Sequence, residues 1–381
     1  MDESGTPALA GLRVIEFCQI AAGPFCGMLL ADQGADVIKV EAPAGDGMRN
    51  WPPLNGGYSE NFASVNRNKR SIVLDLKDPP AREQARALCR SADVIIENFR
   101  PGVMGRLGLS YRELAADMPR VVYCSISAFG QEGPRSQEGG FDVTLQAIGG
   151  VMSVTGEAGG APVKCGVPLT DFAAGLYAAY AIAAAVAAVR TGAPGRYIDV
   201  PMLGTTLAIG ALQTSEYFGT GRDPAKLGSA HPRNAPYQAF RCKDGEIVLA
   251  AGSDDLFRRT CECLGLTAAI VNDPRFTSTS LRAANQRALQ ALVEQALADR
   301  TPTESLALLR DAGVPCAPIN TYSQALADPQ VAHYGWVQSL SLPNGATTRT
   351  MTDPLGQSVP VRRPPPALGE HTAEILKEIA S

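Results

Sequence analysis

The chain has 381 residues, too many for one small core and suited to two domains or to one large domain with an insertion. Hydrophobic residues make up 45 % and charged residues 19 %, an ordinary soluble composition, and a net charge of −4 gives no basic field to recruit nucleic acid or an anionic membrane. Nine scattered cysteines without a C-x-x-C pair point to reduced thiols in the cytoplasm and exclude a zinc ribbon.

The opening stretch "MDESGTPALAGLRVIEF" lacks the basic and apolar regions of a secretion signal. The first half then reads as repeated βαβ units. "LRVIEF" (Leu12–Phe17) is a strand, "CQIAAGP" a turn, and "FCGMLLADQG" a helix that opens just after Pro24. "DVIKVE" (Asp36–Glu41), "RSIVLDL", "DVIIEN" and "VVYCSIS" follow as short apolar strands, and "SYRE" (Ser110 to Glu113) has the spacing of a capping box. Strands alternating with helices predict a parallel sheet covered on both faces, with ligands bound beyond the carboxyl ends of its strands.

The stretch from Phe172 to Val189 is rich in Ala and carries no charge, with Asp171 at its head. It is long enough to suggest a membrane span. Ala is only weakly apolar, however, and the segment stands alone, so a helix packed inside a soluble protein is expected. Asp171 then has two readings, as an N-cap that accepts first-turn N–H groups or as a catalytic carboxylate.

Composition changes near Gly219. "GTGRDPAKLGSAHPRNAP" reads as a linker or active-site loop, and "YQAFRCKDGEIVLAAG" as a hairpin around Lys243-Asp244-Gly245. Helices are predicted after Ser253, across Ala283–Asp299 and from the capping box "TPTE" (Thr301 to Glu304), giving a smaller α+β domain. "VRRPPPALGEHTAEILKEIAS" closes the chain with a Pro-rich crossing and a short amphipathic helix.

The available chemistry is limited. The three His (His231, His333 and His371) all lie beyond residue 230, so the N-terminal sheet cannot hold a Ser-His-Asp triad alone. No H-E-x-x-H, Walker loop or EF-hand loop appears. "CQIAAGP" has one Gly where a dinucleotide fingerprint needs three, so Glu41 reads as a sheet-end polar residue rather than a ribose ligand. Arg67, Lys69, Arg70 and Lys77, with Arg100 and Arg106, cluster near the ends of two strands. Singly each suits a solvated face; together they suit a phosphorylated ligand.

Several of these stretches, in order, resemble the class III CoA-transferase family, the group of formyl-CoA transferase and the carnitine and bile-acid CoA-transferases. They are "GLRVIEFCQIAAGPFCGMLLADQGADVIKVEAP", "VNRNKRSIVLDLK", "DVIIENFRPGVMGRLGL", "CSISAFGQEGP", "GGFDVTLQAIGGVMSVTG", "VPLTDFAAGLYAAYAI" and "RTGAPGRYIDVPML". "GSAHPRNAPYQAFRCKDGEIVLAAG" and "RRPPPALGEHTAEILKE" resemble the members acting on dicarboxylates, which move CoA between succinate and glutarate-, itaconate-, mesaconate- or citramalate-type acids.

The resemblance implies an α/β fold: a Rossmann-like large domain plus a smaller α+β domain, in an interlocked homodimer. Its parts would be residues 1–200, a linker at 201–232, the small domain at 233–320, a second linker at 321–345, and a return to the large domain at 346–381. It also implies that Asp171 is the nucleophile, still near a helix N-terminus whose positive end would keep it ionised. Gln19, Ile20, Ala21 and Ala22 match the loop beside the thioester and pantetheine. Leu74, Asp75, Leu76, Lys77, Asn98, Phe99, Arg100 and Arg106 match stretches that hold the CoA nucleotide, and Met202 matches a further CoA contact. Phe141 and Asp142 match an active-site pair. His231 and Arg233 are candidates for the far carboxylate of a dicarboxylic acid. Coenzyme A enters as a thioester substrate; no tightly bound cofactor or metal is implied.

Two departures matter. Ala42 stands where some members carry an Arg for the nucleotide, and "GSAHPRNAPY" replaces the glycine-rich flap of formyl-CoA transferase, which argues against formyl-CoA or oxalate. The related 2-methylacyl-CoA racemases need a His general base where Phe141 stands. A non-catalytic CoA-binding protein would not need "PLTDFAAGLY".

Overall fold

The structure, a computed structural model, describes residues 7–266, 268–355 and 360–380. The first six residues of the stretch expected to carry no secretion signal therefore lie outside the described residues, as do 267, 356–359 and 381 of the expected domains. Two compact units are present. The larger comprises the described residues of Met1–Val151, Lys164–Arg222 and Pro329–Ser381; the smaller comprises Met152–Val163 and Asp223–Asp328.

The larger unit is built on a six-stranded parallel sheet: β1 (Arg13–Phe17), β2 (Asp36–Glu41), β3 (Lys69–Val73), β4 (Val94–Glu97), β5 (Val122–Ser127) and β6 (Arg196–Pro201), in the order β3-β2-β1-β4-β5-β6. Alternate side chains feed two cores. Val14, Val37, Val94, Ile96 and Cys124 face helices α1 (Ala22–Asp32) and α4 (Leu169–Arg190). Ile15, Ile38, Ile72, Ile95 and Tyr123 face α2 (Pro79–Arg90) and the C-terminal helix Thr372–Ala380. Each such Val, Ile or Leu contributes about 1.5–3 kcal/mol by leaving water. Between α2 and α4 lies α3 (Asp142–Ile148), and α5 (Met202–Ile209) follows β6.

By length and composition α4 could cross a membrane. Here its Ala173, Ala174, Ala178 and Ile182 are buried in the first core. A Cβ on Gly175 would lie 2.7 Å from the Ala22 carbonyl oxygen and 3.0 Å from the Phe25 ring, so glycine allows α4 to approach α1. We expect Gly175→Ala to cost about 1–3 kcal/mol of stability, because backbone rather than a flexible side chain must move. Urea unfolding checks this, and an unchanged midpoint would contradict it.

The cluster Arg67, Lys69 and Arg70 is neither a solvated face nor a phosphate cradle. All three are buried and paired: Arg67 with Asp32, Lys69 with Glu16 at 2.8 Å, and Arg70 with Asp36 and with Glu374 and Glu378 of the C-terminal helix. The last pairs fasten the returning chain to β3, aided by Asn68, whose Oδ1 accepts the N–H groups of Arg362 and Arg363. Glu41 is likewise occupied, accepting from Arg49 and Ser71.

The stretch 201–232 holds two helices, α5 and Ala211–Thr220, and 321–345 holds Tyr322–Leu326, Pro329–Tyr334 and the strand Val337–Ser341. In the smaller unit the hairpin Tyr237–Arg241/Glu246–Ala250 pairs with Cys316–Pro318. Helix Pro302–Asp311 carries the expected capping box of Thr301 and Glu304. The helix expected over Ala283–Asp299 is interrupted at Asn285, giving Thr279–Ala284 and Gln286–Leu297.

Candidate active site

The strand order reverses between β1 and β4, and the loops after these strands diverge there, which opens a crevice at the carboxyl edge of the sheet. A cavity of about 320 Å³ lies at this edge. Gln19, Ile20, Ala21 and Ala22 line it from the β1–α1 turn, Asn98, Phe99 and Arg100 from the loop after β4, and Phe141, Asp171 and Met202 from the opening residues of α3, α4 and α5. Residues far apart in sequence thus share one wall because each follows a strand or opens a helix at the same edge.

Asp171 does not cap its helix. Helix α4 begins at Leu169, the cap position falls on Pro168, and Asp171 sits within the first turn. The capping oxygen comes from α3: Asp142 Oδ1 accepts the Thr170 N–H at 2.9 Å and the Thr170 hydroxyl at 2.8 Å. Asp142 Oδ2 accepts from Gln146 at 2.7 Å, so both oxygens are engaged. The Asp171 carboxylate has no hydrogen bond among the described residues. Burial, and secondarily the charge of Asp142, raise its pKa to about 7. The helix N-terminus therefore does not keep it as readily ionised as the sequence suggested; desolvation and a like charge outweigh the dipole. Phe172 anchors this turn against α1, its ring 4.6 Å from that of Phe25.

Gln19 is held through its main chain by Asn98, which leaves its side-chain amide without a hydrogen bond among the described residues. Both polar atoms of Asn98 are consumed by this contact. Glu97 just before it is buried, its pKa raised by that burial to about 7, and it accepts the Phe99 N–H.

Other expected site residues are not in this cavity. Leu74, Asp75, Leu76 and Lys77 follow β3; Leu74 is core, and Asp75 accepts the Lys77 N–H. Arg106 ends a short helical turn, Val103–Arg106. His231 and Arg233 belong to the smaller unit. There the His231 Nδ1 accepts the N–H groups of Arg233 at 3.2 Å and Asn234 at 3.1 Å, which leaves the proton on Nε2. Glu138, Gly139 and Gly140 line the cavity without having been singled out from the sequence. No group of His, Cys, Asp and Glu is placed to hold a metal among the described residues.

A carboxylate poised to ionise near neutral pH, a free amide and the start of a helix on one apolar wall suit acyl chemistry. Comparison with known proteins agrees. The family model described as CoA-transferase family III matches residues 9–372. The chain is 39 % identical to the succinate–glutarate CoA-transferase of Agrobacterium fabrum, over 98 % of this chain and 96 % of that one. It is 38 % identical to the acetyl-CoA:oxalate CoA-transferase of Acetobacter aceti, over 97 % and 95 %. The crystal structure of a CaiB/BaiF family protein from Brucella suis superposes with a TM-score of 0.86 at 37 % identity, covering 98 % of this chain and all of that one. The chain belongs to CoA-transferase family III and is an enzyme of that family.

Proposed function

We propose that this enzyme moves CoA from succinyl-CoA to a C4–C6 dicarboxylic acid, with Asp171 as the nucleophile. One observation carries the assignment: a largely buried carboxylate, free of hydrogen bonds among the described residues, on the wall of the cavity at the sheet's carboxyl edge. An Asp171 oxygen attacks the thioester carbonyl, the C–S bond breaks, and a mixed anhydride forms with release of CoA thiolate. The thiolate attacks Cγ of Asp171, expelling the donor acid and leaving an aspartyl-CoA thioester. The acceptor carboxylate then attacks Cγ, and the steps run in reverse to give acceptor-CoA and free Asp171. Each thioester replaces another, so no ATP is consumed. The Gln19 amide donates to the acyl oxygen as charge develops.

The dicarboxylate preference draws on the names of the Agrobacterium relative and of succinyl-CoA:mesaconate CoA-transferases such as that of Haloarcula hispanica. The likeness to an oxalate enzyme keeps C2 acids in the panel. The test supplies succinyl-CoA with oxalate and C4–C6 dicarboxylates and follows acyl-CoA products by mass spectrometry. Hydroxylamine added with donor alone should convert Asp171 to its hydroxamate. Failure to transfer CoA to any acid would defeat the substrate assignment, and a hydroxamate elsewhere the nucleophile.

A bound dicarboxylate keeps one free charge that needs a donor. His231, with Arg233, fills that role in this proposal. The His231 pKa is lowered by partial burial and then by the Arg233 charge, so it is neutral at pH 7 and donates through Nε2. His231→Ala should slow transfer to dicarboxylates about tenfold relative to monocarboxylates of similar length. Equal losses on both would remove the contact.

The fold order β3-β2-β1-β4-β5-β6 supports a Rossmann-like large domain. An interlocked homodimer in the cytoplasm is proposed with it. Tyr180 and Phe218 of the larger unit are 73 % and 80 % exposed in the single chain, as expected of surfaces a second copy covers. The racemase alternative predicts deuterium uptake at C2 of a 2-methylacyl-CoA in heavy water. We expect none, since Phe141 holds no proton to move.

A further inference from the structure

The turn joining β1 to α1 is held against its own preference. Ile20 has φ 67°, the left-handed region, which a side chain bearing a Cβ disfavours. Three side chains grip its neighbours and its own main chain. Asn98 brackets Gln19, its Oδ1 accepting the N–H and its Nδ2 donating to the carbonyl, both at 2.9 Å. Asp46 accepts the Ile20 N–H, 3.1 and 3.2 Å from its two oxygens. Lys39 Nζ donates to the Cys18 carbonyl at 2.7 Å and pairs with Asp46 at 2.9 Å and Glu16 at 3.1 Å. Lys39 and Glu16 are fully buried and Asp46 is 1 % exposed. Glu16 fits only because Gly27 has no Cβ, which would lie 1.9 Å from its Oε2.

Buried charges such as these seldom add stability over apolar side chains of similar volume. Here they end on the main chain of one turn, and that turn lines the cavity beside Asp171. We infer that Asp46, fixed by Lys39, and Asn98 are positioning residues that hold the Cys18–Ile20 turn in its strained form. The turn in turn sets the Gln19 amide and the first N–H groups of α1 against the acyl group carried on Asp171. The inference rests on the nucleophile assignment made above.

The test compares Asp46→Ala and Asn98→Ala, each alone and combined with Ile20→Gly, in steady-state transfer from succinyl-CoA and in hydroxamate formation. Asn98 is half-buried at the rim, so its variant leaves the core untouched even where loss of Asp46 impairs folding. Each single variant should lower kcat about tenfold, with KM for succinyl-CoA within about threefold, because misplaced donors weaken the transition state more than binding. The hydroxamate should form more slowly but still on Asp171. In the Ile20→Gly background the same changes should cost at least about fivefold less, since glycine adopts the left-handed form without a grip. Parent kcat in both single variants, or losses that simply multiply with Ile20→Gly, would overturn the inference while a label on Asp171 leaves the nucleophile standing. A label on another residue in the unaltered enzyme would overturn both.

Discussion

Asp171→Ala should lower CoA transfer by about 10³-fold or more and leave the protein folded. The activity loss follows from the covalent role: the anhydride and the thioester both form on this carboxyl, and the carboxylates beside it among the described residues are already engaged, Glu138 on the cavity wall by Arg135. Asp142, whose charge acts on Asp171, has both its oxygens bound to Thr170 and Gln146. The folded state should survive because Asp171 caps nothing. The Thr170 N–H that a cap would satisfy is already held by Asp142, so the roughly 1 kcal/mol expected from losing a cap does not apply. The converse holds for Asp142→Ala, which removes the oxygen that satisfies α4. Transfer rates and thermal unfolding of the two variants separate these roles. Near-parental transfer by Asp171→Ala would end the covalent mechanism.

Much of this site was legible in the sequence, and the exceptions have physical causes. The strands β1, β2, β4 and β5 are apolar runs buried on both faces, so their signal is strong. β6 was missed because Arg196, Tyr197 and Asp199 are exposed and break the apolar run. Arg67, Lys69 and Arg70 were misjudged because partners cannot be seen from one end: Arg70 meets Glu378 across 308 residues and Arg67 meets Asp32 across 35. Of the two readings of Asp171 the cap fails, because spacing alone cannot show that a different helix supplies the capping oxygen. One signal was present and unused. Lys39 stands in the middle of "DVIKVE", a strand otherwise fit for full burial, and a lysine there demands buried carboxylates. Following that demand leads to Glu16 and Asp46, and from them to the turn beside the nucleophile.

The pH dependence should expose the nucleophile directly. With the Asp171 pKa raised to about 7 by burial and by Asp142, only the ionised fraction attacks. Well below that value kcat/KM should fall about tenfold per pH unit, roughly 50-fold between pH 7 and pH 5, and above it the rate should level off. Repeating the profile with acids of different pKa removes the acceptor's own titration. Glu97 also titrates near 7, its pKa raised by burial, so the profile alone is ambiguous. Asp142→Asn resolves it: removing the like charge should move the inflection to lower pH only where Asp171 is the titrating group, and an unmoved inflection would point to Glu97 instead. Stability should run the opposite way to activity. A folded-state pKa above the unfolded value near 3.8 means that the protonated carboxyl is preferred in the fold, so its contribution is complete below about pH 4 and lost as pH rises through 7. The full shift sets an upper bound of about 4 kcal/mol, which access of solvent to the cavity reduces to about 1–3 kcal/mol. Asp171→Asn, which cannot ionise, should therefore be the more stable protein at pH 8 and lose that advantage by pH 4, as urea unfolding at the two pH values would show. Equal stability at pH 8 would mean that the carboxylate is better solvated than its position implies. A catalytic group held where its charged form is disfavoured costs the fold stability and keeps the carboxylate basic, and so a stronger nucleophile toward a thioester.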